Sequence, residues 1–223
     1  MSPPVPTPRG VKLVYQPAAA LLWVLAGLSL VGVPFLLTGI LDVVLLIVLV
    51  PVAWLLVDVL SGAVHWLLDT YGTPQTPVIG PVIGDFRHHH DDQHAILDKG
   101  FLECCGGAAV PALPVLALLH LAVWWTGSAV LLGTGIVFIS GAVLTNYIHR
   151  LAHHPEPPAV MVALQRIRLV LPPGEHRRHH SGDHRRGYGI TSGWSNTLLE
   201  RLGAYQRAEA FLALLGSHPD SAR

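Results

Sequence analysis

The sequence has little charge and almost no cysteine. Only 13% of its 223 residues are charged and 51% are hydrophobic, a composition too apolar for an ordinary soluble domain. The two cysteines, Cys104 and Cys105, are adjacent, so they form neither a disulfide framework nor a CxxC redox motif. Basic and acidic residues balance at 14 each, which gives no reason to expect a nucleic-acid partner. The N-terminal residues also lack the cleavage pattern of a signal peptide.

Long apolar runs make up much of the sequence. Each is long enough to cross a hydrocarbon core of about 30 Å at about 1.5 Å per residue. A soluble helical bundle with an apolar core is the alternative, but runs without charge on any face argue against it. Very short connections pair the runs, so we predict an all-α integral membrane protein with four transmembrane helices in two hairpins. The predicted helices cover about 18–41, 43–68, 107–126 and 128–149.

The basic residues predict the orientation of these helices. All Lys and Arg lie before the first run, between the second and third runs, or after the fourth. By the positive-inside rule these three places face the cytoplasm. We therefore expect a multi-pass protein with both termini cytoplasmic, in the inner membrane if the source is bacterial.

The remaining segments are expected to form tails and a cytoplasmic cap. Residues 1–16 are proline-rich and predict a disordered tail, and residues 217–223 predict another. Residues 17–216 then form a single membrane domain whose histidine-rich cap comprises 71–106 and 150–216. Within the cap, apolar residues recur at helical spacing from about Asn196 to Leu215, as in a helix that lies on a membrane surface or covers the cap.

Fourteen histidines are the outlier of the composition, and four clusters hold most of them. The densest is the stretch from Glu175 to His184, where histidines at offsets of three and four residues share a helical face. Imidazole binds zinc, copper, iron and nickel, so the stretch predicts a metal site. A solvated basic helix end is the alternative, because arginines are interleaved.

The other three clusters have the same character. His65 lies on one helical stripe with Asp58 and Asp69. Three consecutive histidines at 88–90 precede Asp91 and Asp92. His149 and His153 are one helical turn apart and follow Asn146. Which of the three consecutive histidines point inward stays open. The lone His120 within an apolar run is interpreted as a packing or hydrogen-bonding residue.

All four clusters fall on the predicted cytoplasmic side. Nine or more candidate ligands exceed what one zinc ion needs, and they suit two metals with open positions. Soluble di-iron bundles use Glu-x-x-His motifs, which this chain lacks. A histidine-rich, membrane-embedded site for two metals points to iron and dioxygen.

Five motifs, in this order, resemble the plasmanylethanolamine desaturase family. They are Ser61-Gly-Ala-Val-His65-Trp66-x-x-Asp69, Phe86-Arg87-x-His89-His90-x-Asp92, Thr145-Asn146-x-Ile-His149-x-x-x-His153, His176-x-x-His179-His180-x-x-x-His184 and Ile190-Thr191-x-Gly193-Trp194-x-Asn196. The resemblance implies a four-helix membrane protein with a di-iron centre of two iron ions. It also implies dioxygen as co-substrate and formation of the vinyl-ether double bond of plasmalogens from an alkyl-ether phospholipid.

The resemblance also implies the site residues. The implied metal ligands are His65, His89, His90, His149, His153, His176, His179, His180 and His184. Asp58, Asp69, Asp92 and Asn146 are expected to support or join them, and Arg87 or Arg150 to meet the phosphate of the lipid headgroup. No catalytic residue is expected beyond the metal site.

Electrons are expected from a separate donor such as cytochrome b5 or ferredoxin, because the sequence has no flavin or iron–sulfur motif. Two alternatives remain at this point. One is a desaturase or hydroxylase of ester-linked acyl chains in membrane lipids. The other is a non-enzymatic membrane protein that binds metal at the cytoplasmic face.

Overall fold

The computed structural model describes residues 9–220, and every regular element in that range is helical. A 3₁₀ turn, Ala95–Asp98, lies between the third and fourth α-helices. The predicted all-α class is confirmed. In chain order the helices are α1 (Arg9–Leu36), α2 (Ile40–Thr70), α3 (Gly80–Asp91), α4 (Phe101–Thr126), α5 (Ala129–His153), α6 (Ala159–Arg166), α7 (Pro173–His179), α8 (Asn196–Arg201) and α9 (Ala204–Leu214).

Four of these helices, α1, α2, α4 and α5, are long and apolar enough to cross a membrane. Large apolar side chains on them face outward: Phe35 is 85% exposed and Ile47 is 68% exposed. Apolar surface of this extent marks contact with lipid or a partner. Short connections at 37–39 and 127–128 join α1 to α2 and α4 to α5, as the two-hairpin prediction requires.

Several helix ends differ from the predicted spans, and helix α1 ends at Leu36 rather than near residue 41. Helix α4 begins at Phe101 rather than Gly107, so the last residues of the predicted cap segment 71–106 are helical. Helix α5 continues to His153 rather than stopping at residue 149. Hydropathy measures the apolar length of a helix, whereas its end depends on where backbone hydrogen bonding stops.

The structure differs from the predicted N-terminal tail, since residues 9–16 belong to α1, whereas residues 217–220 form no regular element. Helix α1 already begins at Arg9, because every proline before residue 17 precedes it, and Lys12 Nζ lies 3.1 Å from Glu103 Oε2 on α4. At the other end, the Asp220 backbone N–H donates to the carbonyl of Thr70 at 3.0 Å. Residues 1–8 and 221–223 of the predicted tails lie outside the described residues.

The chain divides into two compact units, and the division falls within α2 and α5. The described part of the first, called the apolar unit, comprises residues 9–57 and 99–147. Its core joins α1, α4 and α5 through buried residues such as Leu22, Leu116 and Ile136. His120 lies 2.8 Å from both Ser29 Oγ and the Leu116 carbonyl, which agrees with its interpretation as a hydrogen-bonding residue.

The second unit, called the histidine unit, comprises residues 58–98 and 148–220 of the described chain. Buried Trp66, Tyr188 and Tyr205 form a small aromatic core within it. The predicted helix over about 196–215 is present as two helices, α8 and α9. The break is at Gly203, whose φ of +58° is a conformation that non-glycine residues rarely adopt.

Two adjacent glycines on α4 allow a test of the packing in the apolar unit. A Cβ at Gly106 would collide with the backbone of Tyr15 on α1, whereas one at Gly107 would meet only the Tyr15 ring at 3.6 Å. We expect Gly106→Ala to destabilise the protein by about 1–3 kcal/mol through overpacking, although alanine favours helices. Thermal unfolding in detergent measures the effect, with Gly107→Ala as the matched control. Equal midpoints for the two variants would contradict this packing.

Candidate metal centre

Four helices of the histidine unit carry the predicted ligand residues to one place. The end of α2 supplies His65 and Asp69, α3 supplies two adjacent histidines, and the end of α5 supplies two more one turn apart. Helix α7 and the residue that caps its C-terminus supply the last three. These side chains form two groups, within each of which the potential ligand atoms all lie within 4.8 Å of one another.

The first group contains histidines only. Its Nε2 atoms meet closely: His176 Nε2 lies 2.8 Å from those of His149 and His153, and 3.0 Å from that of His180. The fifth member is His89, whose buried Nε2 has no hydrogen-bond partner among the described residues. Five imidazoles therefore direct ring nitrogens to a common point.

The second group combines three histidines with a carboxylate. Asp69 Oδ2 lies 3.3 Å from His65 Nε2 and 3.6 Å from both His90 Nε2 and His179 Nε2. The Nε2 atoms of His90 and His179 are 3.0 Å apart. Both Asp69 oxygens are buried without a hydrogen-bond partner in residues 9–220.

The two groups are neighbours because single helices contribute to both. Residues 89 and 90 differ by about 100° around α3, so His89 joins the first group and His90 the second. His176 on α7 and His180 at its C-cap share the face of the first group, while His179 reaches the second. The rings of His179 and His180 are only 5.3 Å apart between centroids.

Burial favours the neutral form of several of these imidazoles. Desolvation lowers the pKa of His90 to about 4 and that of His180 to about 2. It also lowers the pKa values of His89, His176 and His179 well below the usual 6.5, and neighbouring histidines add to the effect. A neutral imidazole keeps a nitrogen lone pair, which is the form that binds a metal.

Backbone carbonyls orient two members of the second group. His65 Nδ1 lies 3.1 Å from the carbonyl oxygen of Tyr188, and His179 Nδ1 lies 2.7 Å from that of Arg186. In the neutral ring each Nδ1–H donates to the carbonyl, which leaves the Nε2 lone pair directed at the group. Hydrogen bonds of this kind fix the tautomer of metal-binding histidines.

The converging ring nitrogens and the carboxylate are better suited to binding metal ions than to hydrogen bonding with one another. Several buried Nε2 lone pairs converge in each group, yet protons on them cannot satisfy all of these contacts at once. An ion at about 2.1 Å from each nitrogen would separate neighbouring ligands by roughly 3 Å. The observed 2.8–3.3 Å between nitrogens of the first group agrees with that spacing. Two adjacent ions, one per group, would satisfy the converging atoms.

Asp58 is one of the residues expected to support the ligands. It lies in neither group and is fully buried. Its Oδ1 accepts backbone N–H groups at 2.8–3.2 Å, and its Oδ2 accepts the Ser195 N–H and hydroxyl at 2.9 and 2.6 Å. The three donors to Oδ1 are Thr191, Ser192 and Gly193.

This carboxylate anchors the loop that follows α7. The loop from Arg186 to Ser195 carries the two carbonyls that orient His65 and His179. Ser61 Oγ also accepts the Ile190 N–H at 3.1 Å. Sequence reasoning did not assign Ser61, Tyr188 or Ser195 to the site. Tyr188 and Arg186 act through their carbonyls, which every residue type has.

Three further expected residues also lie outside the two groups. His184 stacks on His90 at 4.5 Å between centroids and adopts a φ of +54°. Asp92 Oδ1 accepts the His94 N–H at 3.0 Å, just after α3. Asn146 is half-buried on α5.

The two arginines expected to meet a lipid phosphate donate hydrogen bonds to backbone carbonyls. Arg87 donates to the carbonyls of Leu68 and Tyr71 at 3.1 and 3.4 Å. Arg150 donates to that of Leu97 at 2.7 Å. These bonds hold the ends of α2 and of the 3₁₀ turn, which is a structural use of both side chains.

The fold and the two groups define a helical protein with membrane-spanning helices and a candidate centre for two metals. Residues 54–222 match the lipid desaturase domain family, and this match covers more than half of the chain. The chain therefore belongs to that family. No solved structure matches the chain significantly.

Several relatives carry related names. The chain is 37% identical to a plasmanylethanolamine desaturase of Myxococcus xanthus, over 75% of this chain and 60% of that protein. It is 34% identical to plasmanylethanolamine desaturase 1 of Mus musculus, over 74% and 64%. It is 29% identical to a chloroplastic fatty acid desaturase 4 of Arabidopsis thaliana, over 75% and 52%. The chain thus spans less than two thirds of the length of these relatives.

The anchoring role of Asp58 predicts a structural defect in Asp58→Asn. The amide replaces one acceptor oxygen with a donor that faces N–H groups, which should cost roughly 2–4 kcal/mol. We expect a lower unfolding midpoint in detergent and weaker retention of bound metal, because the loop that orients His65 and His179 loses its anchor. Asp98→Asn, at an exposed position of the 3₁₀ turn, is the control. A midpoint and metal content like those of the control would refute the anchoring role.

Proposed function

We propose that this chain is a dioxygen-dependent lipid desaturase with a di-iron centre, and that it forms the vinyl-ether double bond of plasmalogens. The observation that carries the proposal is the pair of adjacent, buried histidine groups in a member of the lipid desaturase domain family. The names of the bacterial and mouse relatives support the vinyl-ether product.

The proposed ligands are the eight histidines of the two groups together with Asp69. Iron bound there would supply the activation of dioxygen that removal of hydrogen from an unactivated lipid chain requires. Iron suits a site rich in imidazole with one carboxylate. The protein itself holds the rings in fixed orientations and excludes water, because His65, His149 and His179 are at most 1% exposed.

The reaction balances with an external electron donor. Formation of one C=C bond removes two hydrogens, with two electrons, from adjacent carbons of the alkyl chain. Reduction of dioxygen to two waters takes four electrons, so two more electrons and two protons must be supplied. The donor is proposed to be a separate carrier such as cytochrome b5 or ferredoxin.

We also propose that the histidine unit faces the cytoplasm. The distribution of Lys and Arg supports this orientation through the positive-inside rule. With four spans, both termini lie on that side, and in a bacterium the membrane would be the inner one.

Metal analysis tests the proposed centre. We expect purified protein to hold about two iron ions per chain, as a ligand set of this size allows. His153→Ala should lose much of this iron, whereas His154→Ala should retain it, because His154 lies in neither group and its ring accepts the Glu156 N–H. Elemental analysis measures both variants. Isolation with about one zinc ion per chain, or full iron retention by His153→Ala, would refute the di-iron centre and favour a different metal-binding role.

Lipid analysis of a plasmalogen-free host tests the reaction. Expression of the chain with an alkyl-ether phospholipid should yield a product two hydrogens lighter whose ether chain is released by acid, as a vinyl ether is. Mass spectrometry before and after acid treatment measures this, with His153→Ala as the inactive control. A shifted double bond in ester-linked chains would instead support the acyl-desaturase alternative, which the Arabidopsis relative favours.

A further inference from the structure

A pocket of about 250 Å³ opens at the surface of the histidine unit. The segment after α6, the start of α7 and the first turn of α8 form its walls, together with the end of the loop that Asp58 anchors. None of the residues of the two metal groups lines it. Pockets for drug-sized ligands measure about 300–1,000 Å³, so this one suits a small polar group rather than a whole lipid.

The charged groups of this pocket complement a ligand that has both a negative and a positive group. Arg168 and Glu175 are the charged residues that line it within residues 9–220. Arg168 is exposed, and its side chain forms no ion pair or hydrogen bond in that range. Glu175 lies 2.7 Å from Arg178, but the same guanidinium also lies 2.9 Å from Glu200. Because one arginine serves two carboxylates, Glu175 can accept a second cationic partner.

The backbone of Arg168 is held in an unusual conformation. Its φ of +56° lies in the left-handed region, which residues other than glycine rarely adopt unless their surroundings impose it. The Trp194 Nε1–H donates to the Arg168 carbonyl at 2.5 Å, and the Arg168 N–H donates to the carbonyl of Gln165 at 3.1 Å. Two hydrogen bonds therefore fix the residue whose guanidinium is available in the pocket.

Exposed apolar side chains flank this charged lining. Ile167 and Leu169, the neighbours of Arg168, are 70% and 38% exposed, and Trp194 in the wall is also exposed. Apolar surface beside a polar pocket favours an amphipathic ligand, whose apolar part shields that surface from water. A small soluble phosphate compound would leave it in water.

The pocket adjoins the first metal group. Glu175 directly precedes His176, whose backbone N–H donates to the carbonyl of Pro172 in the pocket wall at 3.2 Å. A vinyl ether forms at the two carbons next to the ether oxygen. About six bonds of roughly 1.5 Å separate the phosphorus of an ether phospholipid from the first of these carbons, so its phosphate must lie within about 9 Å of the reaction. A headgroup site one residue from a proposed iron ligand agrees with this limit.

We propose that this pocket binds the headgroup of the lipid substrate, with Arg168 and the Thr197 hydroxyl on its phosphate and Glu175 and Trp194 on an ammonium group. The inference rests on the proposed function, in which an alkyl-ether phospholipid is the substrate. Arginine binds phosphate through charge-assisted hydrogen bonds, a carboxylate accepts hydrogen bonds from an ammonium, and an indole attracts it through its ring face. The occupant is therefore a lipid whose phosphate carries a primary amine.

Neutralisation of the arginine tests the phosphate contact. The substrates are alkyl-ether phospholipids in mixed micelles that differ only in an ethanolamine, choline or glycerol headgroup. We expect Arg168→Gln to raise KM at least roughly tenfold with kcat changed less than about twofold, because the phosphate contact is equal in the ground and transition states. Arg168→Lys keeps the charge without the planar fork, so its KM should be intermediate. Arg166→Gln, at an exposed position of α6 outside the pocket, should behave like the unsubstituted protein.

Substitution of the carboxylate tests the amine contact. The unsubstituted protein should have a lower KM for the ethanolamine lipid than for the other two. Glu175→Gln should lose most of the preference for ethanolamine over choline, whose quaternary ammonium has no N–H to donate. Iron content and the unfolding midpoint of each variant identify any damage to α7.

Native mass spectrometry of the protein with the same lipids measures binding without turnover. Soluble glycerophosphoethanolamine and inorganic phosphate serve as competitors, and the former should displace the ethanolamine lipid more effectively. Lipid binding and KM of Arg168→Gln equal to those of Arg166→Gln would overturn the headgroup site, as would equal KM values of the unsubstituted protein for the three headgroups. Equal displacement by inorganic phosphate would also overturn it and leave an anion site only.

The proposed function fails in a different way. A protein that binds the ethanolamine lipid through Arg168 but converts none of the three lipids to a vinyl ether would retain the headgroup site and lose the proposed reaction. Vinyl-ether formation that is indifferent to Arg168 and to the headgroup would retain the reaction and overturn the site.

Discussion

Eight imidazoles and one carboxylate within two adjacent groups set the main electrostatic constraint on this protein. Protonated rings at separations near 3 Å would repel one another strongly in a poorly solvated interior. The arrangement is stable only if the rings stay neutral and their lone pairs share a partner. Burial enforces the first condition, as the lowered pKa values of His90 and His180 illustrate. Metal ions would meet the second, so the same packing that would be unfavourable in an empty core would become a ligand set.

Rigid presentation of these side chains comes from helix ends and one anchored loop. His65 and His149 are carried by the long helices α2 and α5, whose outward surfaces are apolar. The loop after α7 has few backbone hydrogen bonds of its own, and Asp58 compensates by accepting four backbone N–H groups from it. A buried carboxylate with no cationic partner among residues 9–220 is tolerable because several N–H dipoles replace its hydration. One residue of α2 thereby supports ligands that lie more than a hundred positions apart in the sequence.

Much of this architecture is readable from the sequence, for identifiable reasons. The four spans follow from apolar runs, since a hydrocarbon core demands both length and hydrophobicity. The histidine spacing on α7 predicts a common binding site, because side chains three and four residues apart project from the same helical face. The start of α1 at Arg9 differs from the predicted disordered tail. Proline disfavours a helix at its own position and at the residue before it, but it does not prevent a helix from beginning after it. The break at Gly203 interrupts an apolar pattern that remains helical on both sides.

The assignment of each histidine to a group depends on information that spacing does not contain. His89 and His90 are adjacent, yet they face different groups, and their division depends on the direction from which α5 and α7 approach α3. Asp58 presents the same difficulty. An acid within an apolar run can equally well bind a metal or accept hydrogen bonds from N–H groups that are distant in the sequence. Only the three-dimensional neighbours decide between these roles. Periodicity can therefore identify which residues are candidate ligands, but not which ion each of them would bind.

The short helices around the centre connect metal binding to the stability of the histidine unit. Helix α7 has only seven residues, too few to be stable in isolation, so its structure depends on tertiary contacts. Two of its residues and the C-cap residue His180 belong to the metal groups, and Glu175 at its start packs close to Gly193 of the loop that Asp58 anchors. Ions that bind these histidines would therefore contribute folding free energy to α7 as well as chemistry. By the same reasoning, the apolar spans do not need the ions to stay helical, since their backbone hydrogen bonds are internal and lipid offers no alternative partners.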